Sequence, residues 1–261
     1  MSQVTSKDGT SIAYERLGRG AAVVLVGGAI ADRSEHAPLA AELAGRFTVV
    51  NYDRRGRGGS GDTLPYAVER EIEDIEALIA EAGGSAHLFG ASSGGGLALQ
   101  AAAAGVAIDR LAVYEVPWGW PSPTDARRFE ALLAEGRRGD TVAHFMRTAG
   151  ASEEEIAGAR KLPVWPGLEA IAHTIAYDAA CMGNGAPPSA RLATITRPTL
   201  VATGEPRLDS PAGGMPPDLF DKAAATIAAS IPQAERETLA GQGHMVDPKA
   251  LAPVLGRFFS A

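Results

Sequence analysis

The chain has 261 residues but only one cysteine, Cys181. No internal disulfide can form, which excludes a small disulfide-built secreted scaffold. Aromatic residues are scarce, at 6%. Basic side chains are outnumbered, with 24 Lys and Arg against 31 Asp and Glu and a formal net charge of -7. Non-specific binding to nucleic acid or to an anionic bilayer needs a basic surface, and this balance does not supply one. The dense basic cluster Arg54, Arg55, Arg57 lies in a Gly-rich turn and is too short to reverse that. The uncharged apolar run over residues 21–31 is too short to span a bilayer, and the opening MSQVTSKDGT lacks the apolar stretch of a secretory signal. The expectation is a cytoplasmic protein with no nucleic-acid or membrane partner. No repeat or low-complexity tract is evident. No His, Cys or carboxylate cluster has metal-ligand spacing, and no dinucleotide or P-loop pattern follows a strand, so neither metal nor cofactor is expected.

What is present is an ordinary globular balance, 46% hydrophobic and 21% charged, in a chain long enough to bury a substantial core. SIAYERLG, after Lys7-Asp8-Gly9-Thr10, reads as the second arm of a hairpin. AAVVLVGG, FTVVNYD, SAHLFG and IDRLAVYEV read as short buried strands. Between them lie helical patterns, the clearest over YAVEREIEDIEALIAEAGG with Val68, Ile72, Ile75, Leu78 and Ile79 in register. Strands alternating with helices predict a mostly parallel sheet covered on both faces. The rhythm lapses over residues 117–193 and resumes with PTLVATG, DLFDKAAATIAAS, ERETLAG and PKALAPVLGRFFS. The expected organisation is an α/β core from residues 1–116 and 194–261. A helical cap, residues 117–193, is inserted after the sixth strand.

Gly90-Ala91-Ser92-Ser93-Gly94 matches G-x-S-x-G. In a chain with 31 glycines the pattern alone is weak, and a serine at such a turn can simply cap a helix. Its place between an apolar strand and a helix is the setting in which a sharp turn lifts a nucleophilic hydroxyl above the sheet edge. A serine hydroxyl needs a base to take its proton. His244, in Gly241-Gln242-Gly243-His244 between the last strand and last helix, has the freedom to serve. His36, His87, His144 and His173 are less well placed. The turn Gly27-Gly28-Ala29-Ile30 after the first central strand could turn backbone N–H groups toward a developing oxyanion.

These features resemble the α/β-hydrolase superfamily over almost the whole chain, in particular its esterase and cofactor-free haloperoxidase-like branch. The stretch from Asp53 to Ser60 is similar to that branch's D-x-R-G-x-G-x-S turn. The resemblance implies that Ser92 is the nucleophile, His244 the general base, and the N–H groups of Ala29 and Ser93 the oxyanion hole, with residues 117–193 as a cap over the site. Gly27-Gly28 stands where the family usually has His-Gly. The usual position of the triad acid holds Arg207, flanked by Glu205 and Asp209.

A third carboxylate, Glu115, ends the strand after the nucleophile, where some lipases of the superfamily carry their acid. Beside Val113, Val116 and Trp118 it needs a polar partner, which His244 would provide. All three acids stay open, with Glu115 first. In the cap, Trp118, Met146 and Trp165 head the candidate lining for a hydrophobic substrate. The expected activity is serine hydrolysis of a carboxylic ester or lactone. A lyase, cyclase or cofactor-free oxidative enzyme on the same scaffold, or a ligand receptor, are the other readings. A homodimer is compatible with the sequence, which does not specify assembly.

Overall fold

The computed structural model describes residues 1–183, 185–205 and 215–261. Their strands form one eight-stranded sheet in the order β1-β2-β4-β3-β5-β6-β7-β8. β1 (Ser2–Thr5) and β2 (Ser11–Gly18) make the expected antiparallel hairpin, and β2 continues antiparallel onto β4 (Thr48–Tyr52). From β4 onward the sheet is parallel through β3 (Ala22–Val26), β5 (Ala86–Ala91), β6 (Ile108–Tyr114), β7 (Thr199–Gly204) and β8 (Ala234–Leu239). The chain runs outward from β3 to β4 and then returns to β5 on the other side of β3. Loops leaving the carboxyl ends of β3 and β5 therefore diverge over a crevice, where open α/β sheets bind ligands.

Helices cover both faces. Leu39, Ala40 and Leu43 of α1 (Ala37–Leu43) pack with Leu251, Leu255 and Phe259 of α11 (Pro248–Phe259) against one face. The other face is covered by α2 (Val68–Ala82), α3 (Ser93–Ala103) and α10 (Leu219–Ser230). The apolar register read in α2 is borne out, since Ile72, Ile75, Leu78 and Ile79 are all buried. Glu71 and Asp74 of the same helix are buried too, against the amphipathic rule. They can be, because Arg54 and Arg55 meet them: Arg54 Nε and Nη2 donate to the two oxygens of Glu71 at 2.7 and 2.8 Å, and Arg55 grips Asp74 the same way at 2.8 and 2.7 Å.

Between β6 and β7 lie α4 (Pro123–Ala134), α5 (Arg138–Thr148), α6 (Glu153–Ala159), α7 (Trp165–Ala170), α8 (Thr174–Met182) and α9 (Ser189–Leu192), with no strand among the described residues. This insert has a small core of its own, built on Phe129, Val142, Ile156, Trp165 and Ile175. No described helix is long and apolar enough to cross a membrane.

Candidate active site

Ser92 stands between the last residue of β5 and the first of α3 with φ 53° and ψ -129°. That is left-handed backbone, which costs a non-glycine residue roughly 1–3 kcal/mol and persists only when the surroundings impose it. The surroundings are two glycines. A Cβ on Gly90 would collide with the carbonyl of Gly94, and a Cβ on Gly94 with the carbonyls of Val26 and Gly27. The plain capping role for the serine fails, since Ser92 occupies the N-cap position with no side-chain capping bond. Among the described residues three non-glycines have positive φ: Ile30, Ser92 and Glu115. All three fall at positions singled out for chemistry, in the β3 loop, the elbow and the end of β6.

Glu115 follows β6 directly and is 5% exposed. Its Oε1 accepts from Gly204 N at 2.9 Å, and its Oε2 lies 2.9 Å from His244 Nδ1. A carboxylate is an acceptor only, so it selects the tautomer with hydrogen on Nδ1 and leaves Nε2 with its lone pair free. The His244 loop is fixed from several sides. Tyr114 Oη donates to Gly243 O at 2.7 Å, and Phe220 stacks on the imidazole at 4.7 Å between centroids. Tyr114 also reaches the elbow, its carbonyl accepting from Ser92 N at 2.9 Å. The end of β6 thus holds the serine turn with one group and the histidine loop with another. A shared cleft lined by Ala91, Phe89 and His244 confirms that the loop after β8 reaches back across the sheet to β5.

The other candidate acids have different placements. Glu205 Oε2 accepts from Gly241 N at 2.8 Å, and Glu205 N donates to Gln242 O at 2.9 Å, so this residue braces the histidine loop. Asp209 lies outside the described residues.

Across the crevice, the β3 loop approaches the elbow closely: a Cβ on Gly28 would sit 3.3 Å from Ser92 Cβ. Gly28 N is occupied, donating to Glu35 Oε2 at 2.9 Å. The N–H groups of Ala29 and Ser93 have no acceptor among the described residues. Ser93 opens α3, so its N–H is one of the free donors at a helix start, and the dipole there favours negative charge.

Beside Ser93 lies a largely apolar pocket of about 230 Å³, counting its open mouth, walled by Pro117, Trp120, Phe129, Phe145 and Ile175, with Asp178 also in its lining. The expected lining residues have other surroundings. Trp118 is 3% exposed in the main core, its Nε1 donating to Met182 O at 3.1 Å. Trp165 is buried in the core of the insert, with Nε1 bonded to Glu169 Oε1 at 2.8 Å, and Met146 packs against that core. Large aromatics in the insert are thus spent partly on its folding, and the neighbours Trp120 and Phe145 line the pocket instead.

Sequence reading missed Asp178 altogether and treated Arg54 and Arg57 only as members of a turn. All three are buried. Asp178 bonds Arg54 Nη1 at 2.7 Å, Arg57 Nη2 at 2.8 and 2.9 Å, and Ser93 Oγ at 2.9 Å. Three arginines within four residues of a Gly-rich turn were the available signal; an aspartate in an unremarked helix gave none.

Comparison with known proteins agrees with this architecture. A family model described as the alpha/beta hydrolase family matches residues 23–254, and the chain belongs to that family. Among solved structures, an alpha/beta hydrolase from Sphaerobacter thermophilus DSM 20745 is 51% identical, with 99% of this chain and 100% of that one covered and a TM-score of 0.87. A hydrolase from Pseudomonas aeruginosa PA01 is 26% identical over 100% of this chain and 98% of the other, with a TM-score of 0.76. An uncharacterized hydrolase of Bacillus subtilis (strain 168) is 39% identical over 92 residues, a match spanning 33% of each chain. Together these support a hydrolase.

Proposed function

We propose that this member of the alpha/beta hydrolase family cleaves a carboxylic ester or lactone of a small hydrophobic molecule, with Ser92, His244 and Glu115 as its catalytic triad. The observation that carries this reading is the 2.9 Å contact between Glu115 Oε2 and His244 Nδ1. It orients an imidazole whose other nitrogen is free to act as a base, over a sheet edge where Ser92 is held in strained backbone.

Ser92 Oγ attacks the carbonyl carbon while His244 Nε2 takes the hydroxyl proton. The carbonyl electron pair moves onto oxygen, and the resulting oxyanion accepts from the N–H groups of Ala29 and Ser93. Collapse of the tetrahedral intermediate breaks the bond to the leaving alkoxide, which receives the proton from His244. Water then attacks the acyl-enzyme by the same route in reverse and releases the acid. Glu115 holds the imidazole through Nδ1 and stabilises the imidazolium. The segment 117–193 would act as the cap, its pocket beside Ser93 holding an apolar acyl or alcohol group.

The decisive experiment is Ser92→Ala assayed on p-nitrophenyl esters, with a fluorophosphonate probe on the unaltered enzyme. A triad nucleophile predicts covalent labelling at Ser92 and a rate loss of about 10³-fold or more in the variant. Retained turnover in the variant, or no labelling of the unaltered protein, rejects the reading.

A further inference from the structure

Both proposed oxyanion donors depend on one buried side chain of the insert, Asp178 of α8, which is 4% exposed. Its first contact is direct: Ser93 Oγ donates to Asp178 Oδ1 at 2.9 Å, which ties down the residue whose N–H is one donor. Its second is relayed. Arg57 Nη2 bonds both oxygens of Asp178, at 2.9 and 2.8 Å, while Arg57 Nη1 donates to the carbonyl of Gly28 and, at 3.5 Å, to that of Ala31. The Gly28–Ala29 peptide is trans, and in a planar trans peptide the C=O and N–H point in opposite directions. A guanidinium pulling on Gly28 O therefore aims Ala29 N–H the other way. Arg54 makes a parallel grip one peptide earlier, its Nη1 donating to Gly27 O at 3.2 Å and to Asp178 Oδ1 at 2.7 Å.

The charges make Asp178 the hinge of the arrangement. Glu71 holds Arg54 with two bonds, so Arg54 keeps an anion whatever happens to Asp178. Among the described residues, Arg57 has Asp178 as its ion-pair partner and its buried Nε has no hydrogen-bond partner. Without the carboxylate, Arg57 would lose its direct ion-pair partner, leaving the nearby Glu71 charge that Arg54 already engages, and its hold on Gly28 O would loosen. A glycine turn freed of that grip gains backbone freedom where the donor must stay fixed.

We propose that Asp178 is a positioning residue that presets the oxyanion hole, holding Ser93 by its hydroxyl and aiming Ala29 N–H through Arg57. This rests on the ester-hydrolase reading above. The insert then contributes to transition-state geometry as well as to the pocket wall. A purely electrostatic role predicts the reverse effect, because removing a negative charge from this neighbourhood would favour an oxyanion.

The test compares the unaltered enzyme with Asp178→Asn and Ser93→Ala, with kcat expressed per fluorophosphonate-labelled site. Positioning predicts that Asp178→Asn lowers kcat by about ten- to a hundredfold with KM nearly unchanged, since small misplacements of oxyanion donors cost rate rather than binding. Affinity for a trifluoromethyl ketone, whose adduct with Ser92 places an oxyanion in the hole, should fall by the same factor. Ser93→Ala keeps its N–H and should show a smaller loss of the same kind. Unchanged or increased kcat per labelled site in Asp178→Asn overturns the proposal, as does a loss confined to the number of labelled sites. If Asp178→Asn does not fold, Ser93→Ala decides: a lowered kcat with ketone affinity lowered in step supports it, and wild-type values overturn it. Absence of labelling and ester turnover in the unaltered enzyme would instead reject the ester-hydrolase reading.

Discussion

Glu115→Gln removes the acceptor-only carboxylate that selects the Nδ1–H tautomer of His244, while keeping size and shape. An amide can present its NH₂ to Nδ1 and stabilise the wrong tautomer, so kcat should fall by about 10²- to 10⁴-fold. Asp209→Asn should leave kcat at the wild-type level, and steady-state kinetics on one ester separates the two acids. Cys181 offers a second check at this scale. It is buried in the main core, and burial followed by the nearby Glu71 charge pushes its thiol up to about 12. The thiolate is the reactive form. Cys181 should therefore resist a thiol reagent at pH 8 until denaturant is added, and stoichiometric reaction of the native protein would contradict its placement. Ser92 and His244 could be singled out in the sequence as candidates, and Glu115 as one of three acids, because each follows a recognisable strand. Asp178 was not, because nothing local marks a helical aspartate whose partners lie 85 to 124 residues away.

Among the elements, the elbow and α2 give opposite lessons. Gly94 was legible as part of a motif, and the structure supplies the reason: its missing side chain lets α3 start against the carbonyls of Val26 and Gly27. Gly94→Ala must displace backbone, and we expect a loss of about 3 kcal/mol or more together with ester turnover. Gly45→Ala, where nothing lies within 4 Å and φ is ordinary, should be neutral or stabilise by up to about 1 kcal/mol. Denaturant melts of the two variants measure the contrast.

In α2 the apolar register was readable, but the burial of Glu71 was not, because its partner Arg54 comes from a separate turn. Burial pushes the Glu71 carboxyl upward and the Arg54 charge outweighs it, so the net direction is downward from 4.5. A depressed carboxyl contributes stability that is present above its unfolded value and lost as pH falls through its folded value. Glu71→Gln should therefore cost about 3 kcal/mol near neutral pH. The gap from the unaltered protein should narrow below pH ~4. A gap that stays constant from pH 7 to pH 3 would show that the charge of Glu71 is not what matters.

For the molecule as a whole, the proposed function makes the pocket beside Ser93 the place that holds the apolar group of the substrate. Trp120, Phe129 and Phe145 are among its walls, and bulky aromatic walls leave a long chain less room than a short one. Short or compact apolar esters should be turned over faster than long-chain ones. A p-nitrophenyl series from acetate to palmitate should show kcat/KM declining with chain length. Trp120→Ala, which removes one wall, should shift the preference toward longer chains without abolishing activity on acetate.

Sequence alone determined the layered α/β architecture, because alternating short apolar runs and 3.6-residue periodicity are local patterns that only a covered parallel sheet satisfies. It also located the serine elbow and the histidine loop, since tight turns write themselves in glycine. Only the tertiary structure decided that the carboxylate beside His244 is Glu115, that Glu205 braces the loop, and that four buried charges from three distant segments meet behind the β3 loop. Those outcomes turn on distances of a few ångströms between residues far apart in the chain, and the strength of an ion pair or hydrogen bond depends on that separation rather than on sequence spacing.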